Sequence, residues 1–318
     1  MRIGIVGSGG MARRRGLAFA ALDGCTVPAV AARNPETGAA LAGELGARQL
    51  GEWEPLVEGD LVDAVAVCTH NDSHGAIALA AVEAGKPVFV EYPLARREAE
   101  VEALTRAGLD GGSIVRVAHG EVVSPGHRAL REAAAGLGDL MAAVFVRLTP
   151  GRGARPEVLL NLPVSGPPAL FFVYQVYPLV DLFGAARWVE ASCRYEGLDP
   201  ATGRYRRFQN TVTAGLGGGT ATWVWSGGVE IDEVEQFERL VMAGGTLVRA
   251  GGAWSVATPA GRKALAPDEV PAESLEQLFL RDVRGEETGW RADLTTAADA
   301  ARLGLRAERA MEERERSR

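Results

Sequence analysis

Two strand ends in the first third of the chain carry residues whose types and spacing suit chemistry at one edge of a sheet. Thr69-His70-Asn71-Asp72-Ser73-His74 follows the apolar run Ala64–Cys68, and Glu91-Tyr92-Pro93 follows Val88–Val90. A helical stretch to about Ala84 lies between them and ends at Gly85-Lys86-Pro87. This spacing predicts a βαβ unit with both polar ends on the carboxyl edge of a parallel sheet, where ligands of such sheets bind. Imidazole, carboxylate and phenol placed there are groups that hold or move protons. A third turn belongs with them. Arg2–Val6 reads as a short buried strand, and Gly7-Ser8-Gly9-Gly10-Met11-Ala12 after it reads G-x-G-x-x-A. Gly7 permits the tight turn, Gly9 admits a pyrophosphate to the backbone, and Ala12 lets the helix pack closely on the strand. The phosphates would sit on N–H groups at the helix start.

The end of the second strand, Val27–Ala32, should set the choice of dinucleotide. An acidic residue usually stands about 20 positions past the glycine motif to hold the ribose hydroxyls. Here Ala32-Arg33-Asn34 offers no acid, and the Arg33 guanidinium suits a 2′-phosphate. The arginines at positions 13–15 add positive charge where it opposes the helix dipole, as a nearby polyanion would rationalise. NADP(H) is therefore favoured over NAD(H). Thr69, His70, Asn71 and His74 are expected to border the nicotinamide side, although Asn71-Asp72-Ser73 equally makes a helix N-cap cluster. The four histidines lack a converging cysteine or carboxylate pattern, so no metal site is expected.

These residues need a frame. A helix at about Arg96–Ala107 and a strand at Ile114–Ala118 complete an alternating β/α region. The rhythm changes after His119. A helix near Pro125–Ala135 leads to Leu140–Leu148. Strand-like runs follow at Val189–Tyr195, Phe208–Leu216, Thr220–Trp225, Phe237–Ala243 and Thr246–Arg249, and helices at about Ala272–Val283 and Asp293–Glu313. The expected fold is an N-terminal Rossmann domain, α/β with a doubly wound parallel sheet, over 1–119. An α+β domain over 120–318 carries a large, mainly antiparallel open sheet for substrate binding and oligomerisation. Such an open face favours a homodimer over a monomer.

Composition bounds the function. Of 318 residues 47% are hydrophobic and 24% charged, an ordinary globular profile. The net charge of −7 argues against nucleic acid as a partner. No apolar run reaches the ~18–20 residues of a membrane span. Cys25, Cys68 and Cys193 are far apart and read as reduced thiols. A cytoplasmic protein acting on a small molecule is expected.

Thr69, Asn71, His74, Ala84-Gly85-Lys86, Glu91 and Pro93 together resemble the Gfo/Idh/MocA oxidoreductases, whose pattern runs T-P-N-x-x-H, A-G-K-x-V and E-K-P. The resemblance implies their two-domain fold and nicotinamide chemistry, and it places Glu91 with the cofactor. Tyr92 stands where those enzymes carry lysine. Their D-x-G-x-H-x-x-D segment matches Tyr174–Asp181, which keeps Asp181 but has Pro178 at the histidine position. Alcohol oxidation needs a base, so the usual sugar dehydrogenase mechanism is not expected. Glu-Tyr-Pro instead resembles the biliverdin reductase branch, as does Val117-Ala118-His119-Gly120-Glu121-Val122. An arginine of that branch, used for substrate binding and proton delivery, falls near Gln175. Arg152 and Arg155 are alternative cationic partners for an acidic substrate, and Tyr177 is a further substrate candidate. By this resemblance Tyr92 donates a hydrogen bond to substrate or cofactor, and His119 and Glu121 handle a proton. Packing and capping are the alternative roles for all three. The implied function is an NAD(P)H-dependent reductase of a conjugated or carbonyl substrate. The alternatives are a sugar or cyclitol dehydrogenase with displaced acid–base groups, and a non-catalytic cofactor-binding regulator.

Overall fold

The computed structural model describes residues 1–151, 156–250, 252–266 and 273–316. Arg152 and Arg155 lie outside the described residues. The chain forms two compact units: Met1–Val123 with Glu273–Ala298, and Ser124–Ala272 with Asp299–Arg318.

The first unit is built on six parallel strands: β1 (Arg2–Val6), β2 (Thr26–Ala31), β3 (Arg48–Leu50), β4 (Ala64–Val67), β5 (Val88–Val90) and β6 (Val115–Val117). Their order, β3-β2-β1-β4-β5-β6, reverses direction between β1 and β4. Helices cover both faces of a parallel sheet, so its strands read as continuous apolar runs, and every residue of β4 and β5 is buried. Val6 pairs with Val67, which sets the turn after β1 beside the turn after β4 at the topological switch point.

The returning segment was expected in the second domain, but it completes the first. Ser274 caps the helix Leu275–Val283 in a reciprocal box with Gln277. Phe279 of that helix then meets Phe19 and Phe89 edge-on, with ring centroids 6.0 and 5.7 Å apart. Arg116 in β6 is fully buried; it forks onto Asp282 and also reaches Asp293 and Thr288. An amphipathic pattern announces a helix but not the sheet it covers, and only the buried arginine identifies the partner.

The second unit holds an eight-stranded sheet: β7 (Leu140–Pro150), β8 (Val189–Glu196), β9 (Arg207–Leu216), β10 (Gly219–Val229), β11 (Glu235–Met242), β12 (Gly245–Ala250), β13 (Ala253–Thr258) and β14 (Gly261–Ala264). The order is β14-β13-β12-β11-β7-β10-β9-β8, antiparallel except where β7 meets β10. Strand alternation sends Phe145, Trp223 and Trp225 to a covered face and leaves Val144 and Phe237 exposed on the other. The helix Val173–Phe183 closes the covered face: Trp223 Nε1 donates to the Gln175 carbonyl at 3.0 Å and Trp225 Nε1 to Gln175 Oε1 at 2.7 Å.

Candidate functional site

Gly7 has φ of +116°, and a Cβ there would lie 2.4 Å from the Cys68 carbonyl oxygen. Only glycine lets β1 turn against the end of β4. The helix Gly10–Ala20 then starts with no side-chain cap and no acid in its first turn, and Ala12 is fully buried beneath it. Its opening N–H groups therefore carry the positive end of the helix dipole with no anionic neighbour on their own turn. The backbone N–H groups at the start of this helix suit a diphosphate, and the expected residues Gly7, Ser8, Gly9, Gly10, Met11 and Ala12 form this turn. Ser8 Oγ lies 2.7 Å from Thr37 Oγ1, and Gly7 N donates to the Ala31 carbonyl at 2.8 Å. These two contacts bring the end of β2 alongside. Ala32 is buried there, and Arg33 is exposed with no hydrogen bond or ion pair to any described residue. Asn34, expected beside the cofactor, has its side chain engaged as the N-cap of the helix Pro35–Leu45, accepting from Glu36 N and Thr37 N.

The arginines at positions 13–15 do not act together. Arg13 pairs with Glu44, Arg14 is exposed, and Arg15 is buried between two carboxylates. Arg15 Nε reaches Glu91 Oε1 at 2.7 Å and its Nη1 reaches Glu276 Oε1 at 2.8 Å, with the guanidinium 5.1 Å from the Phe89 ring. Glu91, expected with the cofactor, thus faces inward. Burial raises its pKa against the opposing pull of Arg15. Helix, strand end and returning segment are joined by one guanidinium. No sequence spacing marks Arg15 or Glu276 for that role.

His74 also corrects an expectation. Its ring is buried, with Nδ1 2.9 Å from the Pro93 carbonyl and Nε2 3.2 Å from that of Thr69. Both ring nitrogens face inward onto carbonyl oxygens, and the one that carries the proton donates the hydrogen bond. Burial lowers its pKa and keeps it neutral. Ser73 Oγ lies 2.9 Å from Thr69 Oγ1 and 3.1 Å from the His70 carbonyl, sharing its one proton between them and shaping the short turn Asn71–Ser73. The His70 side chain is exposed at this edge.

Tyr92, His119 and Glu121 come together. The rings of Tyr92 and His119 stack 5.3 Å apart at 19°, and His119 Nδ1 lies 3.9 Å from Glu121 Oε2. Burial drops the His119 pKa to about 3. An imidazole with so low a pKa is neutral at neutral pH, so it lacks the imidazolium proton of a general acid and is a weak base. Its contact is a flat face that holds the phenol ring. Glu121 is more open, with 24% of its side chain exposed.

In the second unit the expected substrate residues are dispersed. Gln175 is taken up by the two indoles, and Tyr177 is 1% exposed in the core. Asp181 accepts from His127 Nε2 at 2.7 Å and from Arg131 at 2.5 Å, and these two hydrogen bonds hold its carboxyl below the usual range against desolvation. It ties the helix Pro125–Gly136 to Val173–Phe183. A helix periodicity of 3.6 cannot say which of its faces meets the sheet, and that choice buries Gln175 and Tyr177.

The family described as oxidoreductases with an NAD-binding Rossmann fold, Gfo/Idh/MocA, matches residues 1–119. The 1,5-anhydro-D-fructose reductase of Ensifer adhaerens is 32% identical over 227 residues, 67% of each chain. The chain belongs to the Gfo/Idh/MocA oxidoreductases. Another member, the 4-carboxy-2-hydroxymuconate-6-semialdehyde dehydrogenase of Sphingobium sp., is 32% identical over 129 residues, 40% of this chain and 41% of that one. The chain thus spans well under half of that relative's length. Among solved structures, biliverdin reductase from Synechocystis sp. PCC 6803, in complex with biliverdin and NADP+, superposes with a TM-score of 0.83. It is 24% identical over 98% of this chain and 99% of that one. At that identity the likeness is one of fold. The family's description, oxidoreductases with an NAD-binding Rossmann fold, agrees with the parallel sheet and the glycine turn of residues 1–119. No helix among the described residues is long and apolar enough to cross a membrane.

Proposed function

We propose that the protein is an NADP(H)-dependent reductase of a conjugated or carbonyl substrate. The observation that carries this reading is Tyr92: a phenol stands at the position of the family's lysine, its ring stacked on a buried, neutral His119. Reduced nicotinamide, when bound, supplies the hydride. The protein has to bind it, orient the acceptor and manage one proton. Gly7–Ala12 bind the diphosphate, and Arg33 meets the 2′-phosphate. Tyr92 donates a hydrogen bond to the substrate or to the cofactor carboxamide, with His119 fixing the ring. Glu121, partly open to solvent, exchanges the proton. Support for NADP(H) comes from the free guanidinium of Arg33 and the lack of an acid at the end of β2.

The experiment is to incubate the purified protein with NADPH and biliverdin and to follow the reduced-nicotinamide and bilin absorption bands together. Parallel loss of both supports a bilin reductase. The two-thirds coverage of a sugar-ketone reductase favours a second reading, reduction of a sugar carbonyl. In that case 1,5-anhydro-D-fructose consumes NADPH while biliverdin does not. Tight NADPH binding with no turnover on either acceptor supports a cofactor-binding regulator instead. The second unit contributes substrate binding and, through its exposed sheet face, a homodimer contact.

A further inference from the structure

We propose a binding site for an anionic group, a carboxylate or a phosphate ester, on the covered face of the second unit's sheet, centred on Arg147. This site goes beyond the reductase reading and needs none of it. Arg147 in β7 pairs in register with Trp225 of β10 on one side and Gln236 of β11 on the other. Its guanidinium lies 6.0 Å from the Phe172 ring, and Phe172 is itself stacked on Trp225 at 5.6 Å. This aromatic wall fixes the arginine from one side. Nη1 donates to Gln236 Oε1 at 2.6 Å. Nε is buried and has no hydrogen-bond partner among the described residues. Thr149, two positions on and therefore on the same face, has a buried hydroxyl in the same condition.

Charge points the same way. The carboxylate beside this arginine is Glu238, 6% exposed, and it is already committed: Arg249 Nη1 lies 3.1 Å away, and Gln236 Nε2 donates to it. The series runs Arg147, Gln236, Glu238, Arg249, with two guanidinium groups for one carboxylate. Burial raises the Glu238 pKa, and both arginines oppose that shift. Among the described residues these two guanidinium groups share one carboxylate, next to two buried donors without acceptors. Buried donors are ordinarily paired. A bound anion would supply the acceptors. The fixed, planar fork of an arginine suits a carboxylate or phosphate in particular.

The test is calorimetric titration of the full chain, saturated with NADP+ so that the dinucleotide turn is occupied, with benzoate and separately with inorganic phosphate at constant ionic strength. At least one is expected to bind, and the one that does separates the carboxylate from the phosphate source. Arg147→Met should weaken that binding tenfold or more, the loss of a charge-assisted contact. Glu238→Gln removes the competing carboxylate and should tighten it severalfold, a change in a direction that damaged folding does not produce. The proposal is overturned if neither anion binds the wild-type protein, if Arg147→Met binds as well as wild type, or if Glu238→Gln fails to tighten binding.

Discussion

Arg33 and His119 are opposites in solvation, and each makes a prediction of its own. Arg33 is exposed and uncommitted, so its proposed contact with a 2′-phosphate is a charge-assisted one of roughly 1.5–3 kcal/mol. Arg33→Ala is expected to weaken NADPH about ten- to a hundredfold and leave NADH nearly untouched, as measured by cofactor fluorescence titration. Equal losses for both would remove Arg33 from the site. His119 is buried and neutral, its pKa depressed from an ordinary 6.5 to about 3. The unfolded chain therefore binds the extra proton between those two values, and stability falls as pH drops from about 6.5 towards 3. At pH 5 this single ring costs roughly 2 kcal/mol. His74, also depressed by burial, acts in the same direction. His119→Gln should reduce the loss of stability between pH 7 and pH 5 in urea unfolding, and the remainder belongs to His74 and the rest of the chain. An identical pH dependence in the variant would count against a neutral, buried His119. Tyr92 gives a third prediction at this scale. Tyr92→Phe loses one hydrogen bond of about 0.5–2 kcal/mol and should slow turnover about two- to thirtyfold in steady-state assays. A loss above about a hundredfold would make Tyr92 the obligatory proton donor.

Among the elements, the glycine-turn helix, the end of β5 and the helix Leu275–Val283 are held by Arg15 between Glu91 and Glu276. All three side chains are under one-tenth exposed, so the energetics are those of a buried ion cluster. Removing the Arg15 guanidinium strands two carboxylates in the interior, whereas neutralising one carboxylate leaves an intact pair. Arg15→Met is expected to cost about 3–5 kcal/mol in chemical denaturation, and Glu276→Gln less than half of that. The reverse ranking would show that the cluster does not depend on the Arg15 guanidinium in this way.

For the whole molecule, the exposed face of the second unit's sheet is the feature most in need of a partner. Met141, Val144 and Phe237 are 61%, 38% and 39% exposed, and Val146 pairs with Phe237 across β7 and β11. Apolar residues grouped on an open sheet mark an interaction surface, and a two-fold contact between copies is the commonest way to cover one. Sedimentation velocity is expected to report a dimer for the wild-type chain and a monomer for Val144→Asp with Phe237→Asp. A wild-type monomer at micromolar concentration would remove the dimer.

Short-range chemistry in the sequence determined the glycine turn, the alternating β/α region, the bare β2 end with Arg33, and the Glu-Tyr-Pro turn beside His119 and Glu121. Each is fixed by a few adjacent residues: a positive φ that only glycine tolerates, an apolar run that must be buried, a phenol where the family has lysine. The tertiary structure decided what depends on partners far along the chain. Glu91 and His74 sit where the pattern placed them but face inward, because Arg15, Pro93 and Thr69 take up their polar atoms. Gln175 and Tyr177 lie on the buried face of their helix, a choice made by two indoles of β10. The segment Glu273–Ala298 joined the first unit through Arg116 and Phe279. A pairing between a buried charge and its counterion leaves no periodic trace in sequence, because it depends on where two distant elements meet rather than on local spacing.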